Sequence, residues 1–294
     1  MKNAIPRVIF SVLFFLLTSG LFAQQIEADS VLDWSQGTLT LDLSVSLADR
    51  REALPVARYR AEESLFRALP DHLRAEMFPL YVDSYHTVLE FSRTSPRIVT
   101  AINGLAEEGE MRFSRLSPDL QTLTVRYEFQ LYPNICSLFV EHSDGYTPPR
   151  TVLYEPSAEF TGIVIYAKEE FPLHGEEGSH LPVPGLFPDI YNEEMELLYE
   201  REMIDPEYAR QWGGAAYSLE ADTQEFEERV GERPLYIMPV QVFGKYPTDF
   251  IISMQDSRRI TFDGMNHRLL REARVLVLYA EAESGQENNE QILE

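Results

Sequence analysis

Four side chains in one short stretch carry the chemistry of a metal ligand. In "EFPLHGEEGSH", His174, Glu176, Glu177 and His180 lie close together, and zinc accepts imidazole and carboxylate readily. A hydrolytic zinc centre on a helix needs two histidines four residues apart on one face, with a glutamate between them. Here the histidines are six apart, separated by Gly175 and Gly178 and flanked by prolines at 172, 182 and 184. A loop of that composition loses conformational entropy on closing around an ion. The stretch reads first as a solvated loop after a strand, and no metal or cofactor is assigned to it.

Two other groups could do chemistry. Asp189 with Glu193 and Glu194 forms a possible acid pair, but in a hairpin of so acidic a chain these read as surface charge. Arg258, Arg259, Arg268, Arg271 and Arg274 gather five of the 25 basic residues, with Asp256, Asp263 and Glu272 among them. They either receive an acidic partner surface or pair with the protein's own carboxylates along a helix. No nucleophile elbow, phosphate-cradling glycine loop or dinucleotide fingerprint occurs, so no catalytic residue is assigned. With 48 acidic residues, the net charge of −23 argues against nucleic acid as a partner. Cys136 is the one cysteine and cannot close an internal disulfide; it reads as a small buried hydrophobe.

The elements that would position these groups follow from hydrophobic period. Leu39, Leu41, Leu43, Val45 and Leu47 alternate with polar residues, which predicts a half-buried strand. "ALPVARYRAEESLFRAL" predicts a helix with Val56, Tyr59, Leu65, Phe66 and Leu69 near one face, stopped by Pro70. "SPRIVTAINGL" predicts another, with Ser95 as N-cap and Pro96 at its first position. From Glu108 to Tyr132 a hairpin turns at "SPDL".

Further on, "FTGIVIYA" predicts a strand, "PDIYNEEMELLYE" a hairpin around "NEEM", and "DPEYARQWGG" a helix with Asp N-cap and glycine stop. "DTQEFEERVG" repeats that pattern, with Glu225 placed for a capping box. Then come strands in "PLYIMPVQVFGK" and "TDFIISM", a helix broken near Gly264, and a closing strand "RVLVLYAE". The predicted class is α+β: two domains, each a mainly antiparallel sheet with helices packed on one side. The expected division is a signal peptide at 1–23, an N-terminal domain at 24–142, and a proline-rich linker at 143–158. A C-terminal domain at 159–281 and an acidic, disordered tail at 282–294 follow.

The leader reading rests on Lys2 and Arg7 before the apolar run Val8 to Leu17, and on a small-residue site ending at Ala23. That run is shorter than the roughly 20 residues that span a bilayer, so no span is expected after cleavage. Retention of the leader as an anchor is the alternative.

"FTGIVIYAKE", "LFPDIYNEEMELLYEREMIDPEYARQWGGAAYS", "ERPLYIMPVQVFGKYPTDFIISMQDSRRI" and "LLREARVLVLY" together resemble exported envelope proteins of spirochaetes. More distantly they are similar to the LPP20 and flagellar assembly protein T families of Gram-negative bacteria, mainly over Phe160 to Tyr279. The resemblance implies a periplasmic or outer-membrane-associated role, and brings no active-site residue with it. The expected function is therefore non-catalytic: an exported protein acting on an envelope or periplasmic protein partner, in envelope or flagellar assembly. The rival readings are a metal-dependent hydrolase at His174 and His180, and a periplasmic small-ligand binding protein using the cleft between the domains.

Overall fold

The computed structural model describes residues 26–47, 52–146, 158–261 and 264–281. The expected leader, most of the linker and the acidic tail lie outside these residues. The N-terminal sheet consists of β1 (Ile26–Asp33), β2 (Thr38–Ser46), β3 (Glu110–Leu116) and β4 (Thr122–Gln130), antiparallel in the order β1-β2-β4-β3. Its alternation is the predicted one. Leu39, Leu41, Leu43 and Val45 of β2, and Leu123, Val125, Tyr127 and Phe129 of β4, are buried. On the opposite face Arg126 grips Asp42 through two hydrogen bonds of 2.7 and 2.6 Å, a cross-strand pair.

Helix α1 (Leu54–Met77) packs on the sheet, α3 (Pro96–Glu108) packs on α1, and α2 (Val88–Thr94) packs on α3. The buried ridge of α1 is Ala61, Leu65, Leu69, Leu73 and Met77, spaced by four throughout. Two expectations are corrected here. Pro70 does not stop α1; it sits inside the helix. An internal proline costs about 3 kcal/mol, but Leu73 and Met77 beyond it are fully buried, each worth about 1.5–3 kcal/mol. Continuing the helix therefore wins. Nor do all five apolar positions face inward: Leu65 and Leu69 do, while Val56, Tyr59 and Phe66 are 45, 67 and 48% exposed.

The second domain contains β5 (Ile163–Ala167), β6 (Phe171–Pro172), β7 (Ser179–His180), β8 (Ile190–Asn192), β9 (Leu197–Tyr199) and α4 (Pro206–Trp212). It continues through β10 (Ala216–Ser218), α5 (Glu227–Val230), β11 (Leu235–Ile237), β12 (Gln241–Phe243), β13 (Asp249–Ile252), α6 (Met254–Thr261), α7 (Gly264–Arg271) and β14 (Val275–Tyr279). The α+β class and the two-part organisation hold, but this domain's main sheet, β10-β14-β5-β11, is parallel throughout rather than antiparallel. The physical reason lies in β5 and β14. Val164, Leu276 and Leu278 pack with Val230 and Phe226 on one face, while Ile163, Ile165, Val275 and Val277 join the main core on the other. Strands buried on both faces suit a parallel sheet covered from both sides.

A second sheet, β12-β13-β8-β9, has β13 parallel to β8 and antiparallel outer pairs. The hairpin β8–β9 turns at "NEEM" as expected, with Met195 at φ 60°. Helix α4 has its Asp205 cap, accepting from the Glu207 amide at 3.0 Å, and ends at Gly213. The expected capping box at Glu225 does not form: Asp222 instead accepts from the Gln224 amide at 3.0 Å, and a short 3-10 turn precedes α5.

Candidate functional site

The histidine stretch folds as the hairpin β6–β7, pairing Phe171 with His180 and Pro172 with Ser179. Gly175 and Gly178 turn it, with φ of 83° and 108°. His174 leaves the hairpin: its amide donates to the Val242 carbonyl, and its Nδ1 lies 2.8 Å from the Gln241 amide oxygen. Glu176, Glu177 and His180 are exposed. The four are not brought together, and among the described residues no cluster of three or more His, Cys, Asp or Glu side chains could hold a metal ion.

The arginine group is dispersed into local pairs. Arg259 bonds Asp256 at 3.0 Å and lies over the Phe160 ring, and Arg268 and Arg274 share Glu272 at 3.4 and 2.7 Å. Arg258 and Arg271 are exposed.

The chemically unusual groups lie instead where the two domains meet. Residues 81–84, between α1 and α2, run along the second domain: the Leu186 amide donates to Tyr81, the Phe187 amide to Val82 and the Tyr246 amide to Ser84, at 2.8–2.9 Å. Rings seal the contact, with Tyr81 on Tyr246 at 4.5 Å and Tyr85 edge-on to Phe243 at 6.1 Å. Trp34 meets Tyr217 at 5.3 Å further along. One hydrophobic cluster runs through both domains as a result.

Beneath residues 81–87 lie two carboxyls, each preceding a residue of the parallel β8–β13 pairing. Asp249 is fully buried; its Oδ1 accepts from the Asp189 amide and the Thr248 hydroxyl, both at 3.0 Å, while its Oδ2 has no hydrogen-bond partner. Asp189 accepts from the Tyr191 hydroxyl at 3.3 Å. Burial, and for Asp189 the neighbouring Asp249 carboxyl, push both acids well above the usual carboxylate range. Asp189 is thus corrected from surface charge to a half-buried acid facing Asp249. Glu193 and Glu194 are exposed as expected, Glu193 accepting from the Met254 amide at 2.8 Å. Nothing in "PTDF" marks Asp249 as buried, because the cover comes from a segment far away in sequence.

A second polar centre is fully partnered. Arg229 is buried and donates to the carbonyls of Ala273 at 2.9 Å, Trp212 at 2.7 Å and Gly213 at 3.4 Å. Burial draws its pKa down, and no carboxylate pairs with it among the described residues. Around it the Tyr132 hydroxyl donates to Ala215 at 3.0 Å and the Tyr199 hydroxyl to Gly214. Gly213, at φ 66°, admits Tyr132 of the other domain: a Cβ there would stand 2.5 Å from its ring and 2.9 Å from the Cys136 sulfur. Cys136 is buried and free, its thiol pushed up by burial.

A cavity of about 240 Å³ also opens between the domains. Phe91, Ile98, Leu138 and Phe139 give it apolar walls, and His142 and Arg201 lie at its polar side. Arg201 bonds Glu202 at 2.9 Å, and its Nη1 is buried without a partner. No described helix is long and apolar enough to cross a membrane.

Comparison with known families gives two matches. The N-terminal domain of Treponema pallidum Tp0624 matches residues 25–138, and the second domain of the same protein matches residues 162–281. No curated protein matches the chain. The matches extend to neither the LPP20 nor the flagellar assembly protein T family. Two domain matches to one protein, in its own order and without overlap, place the chain in a spirochaete family of Tp0624-like proteins.

Proposed function

We propose that the protein is a non-catalytic, exported component of the spirochaete cell envelope that works by binding another protein. The observation that carries this reading is the outward face of α1. Val56, Tyr59 and Phe66 stand 45, 67 and 48% exposed along one side of the helix, while its buried ridge is already satisfied by the core. Single exposed apolar residues are ordinary, but aromatic side chains grouped on one helix face are the composition of an interface core. Export to the periplasm, where that face would meet its partner, rests on the charged and apolar pattern of residues 1–23. A role in envelope or flagellar assembly rests on the distant likeness of the framework motifs to LPP20 and flagellar assembly protein T.

The test is a photo-crosslinking residue at position 59 in the native envelope, with the same residue at the exposed Glu225 as control. The reading expects one dominant crosslinked protein from position 59, lost when Phe66 is replaced by Asp, and none from position 225. Equal, scattered crosslinking from both positions contradicts it.

A second reading, a small-ligand binding protein, is favoured by the cavity beside Arg201. A ligand for it would raise the melting midpoint of the wild type, and Ile98→Trp, which fills the cavity, would abolish that rise. A rise that persists in Ile98→Trp sinks this reading.

A further inference from the structure

We propose that Asp189 and Asp249 form a protonation-dependent latch between the domains, closed while the pair keeps a proton and loosened when both carboxyls ionise. A carboxylate taken out of water is costly unless paired or fully hydrogen-bonded. Asp249 is 0% exposed, one of its oxygens has no partner, and neither acid makes an ion pair among the described residues.

The surrounding groups do not supply the missing charge. From 81–87 come Asp83, Ser84, Tyr85 and His86, with the His86 ring held 2.9 Å from Asp83. From the second domain come Tyr191, Tyr199, Glu200 and Tyr217, and His174 against Phe243. Lys245, in the β12–β13 turn, is spent on Glu90 at 2.9 Å and on the Tyr246 ring. Arg229 is bonded to backbone carbonyls. Two ionised carboxyls here would repel each other, with Asp83 and Glu200 adding to the repulsion.

What covers the pair is also what would move. The Ser84 side chain sits against Gly244 so closely that a Cβ on that glycine would overlap it, and Ser84 lies beside the Asp249 carboxyl, where its side chain draws the acid's pKa down by less than burial raises it. Ser84 belongs to the segment whose carbonyls hold Leu186, Phe187 and Tyr246. Hydrating an ionised Asp249 requires that segment to lift, and those three bonds break when it does.

The sign of the pH dependence follows from linkage. Both native values are raised above those of the unfolded chain, so the stability that the protonated pair contributes is complete below the ordinary carboxylate range. It is lost as pH rises through the native values. Amide hydrogen exchange on the full chain reads the latch directly. Protection at the Leu186, Phe187 and Tyr246 amides is compared with that at Val125 in β4, after correction for intrinsic exchange.

Between about pH 6 and pH 9, the three seam amides should lose protection relative to Val125, by up to about tenfold per pH unit for each proton the closed state retains. Asp249→Asn should flatten that dependence; Asp189→Asn serves in its place if the first variant does not fold. The proposal is overturned if wild-type seam protection tracks Val125 across the range. It is equally overturned if the slope survives when Asp189 and Asp249 are both replaced by Asn, which would assign it to other groups of the seam. Should neither variant fold, the wild-type comparison decides alone.

Discussion

Arg229 and the Asp189–Asp249 pair are both ionisable groups taken out of water at the core of this molecule, and they are handled in opposite ways. Arg229 keeps its donors occupied by three backbone carbonyls and stacks its guanidinium 5.5 Å from the Trp212 ring. Asp249 has an oxygen with nothing to bond. A buried charge with a partner at each of its nitrogens locks the elements it touches; one with an unpartnered oxygen makes the fold respond to protons. The first centre ties α5 to the end of α4 and to the turn before β14, within one domain. The second lies under the segment that the other domain lends.

The contrast can be broken most forcefully at Arg229. Arg229→Met removes the donor from the Trp212 and Gly213 carbonyls and leaves the Ala273 carbonyl only the Val275 amide, and should destabilise the protein by about 3–5 kcal/mol in denaturant melts. A gain in stability would mean that desolvation of the guanidinium outweighs its bonds. Ile165→Ala is the apolar comparison: the side chain is 1% exposed in the central strand β5, and its truncation should cost about 2–5 kcal/mol.

Glu90 sharpens the pH side. The Thr87 amide, then Lys245, hold its carboxyl down at about 2, so its contribution is present above the ordinary carboxylate range and lost as pH falls through that native value. Its limb is opposite in sign to that of the acid pair. Glu90→Gln should therefore reduce the loss of stability on acidification and leave the alkaline side unchanged; an unaltered acid limb argues against the role. Smallest is the histidine pair. His180 is exposed and His174 keeps a single side-chain bond, so replacing both by Ala should cost about 1 kcal/mol or less. Chelator should have no effect on the midpoint; a chelator-sensitive melt would restore the metal reading.

Where local pattern decides structure, the sequence is readable. The alternation of β2 and β4, the turn at "NEEM" and the Asp205 cap of α4 are each set by residues within a few positions. The outward turn of Tyr59 and Phe66 is not, because α1 has apolar residues on two faces and only the sheet selects Leu65 and Leu69. The parallel sheet left a signal: "GIVIYA" and "VLVLY" lack polar alternation, the mark of strands covered on both sides. The acid pair left none. Asp249 is buried by residues 81–84, and that contact belongs to tertiary structure alone.

The central claim is that the two matched domains share one core, and the protein's two tryptophans test it from either side. Trp34, in the N-terminal domain, touches Tyr217, and Trp212, in the second, touches Arg229. Denaturant unfolding of Trp34→Phe and Trp212→Phe leaves one fluorescent reporter in each domain, read beside far-UV circular dichroism of the same sample. The account predicts that in each variant the reporter and the backbone signal share a single midpoint. Two separated transitions, with one domain unfolding while the other stands, would contradict it.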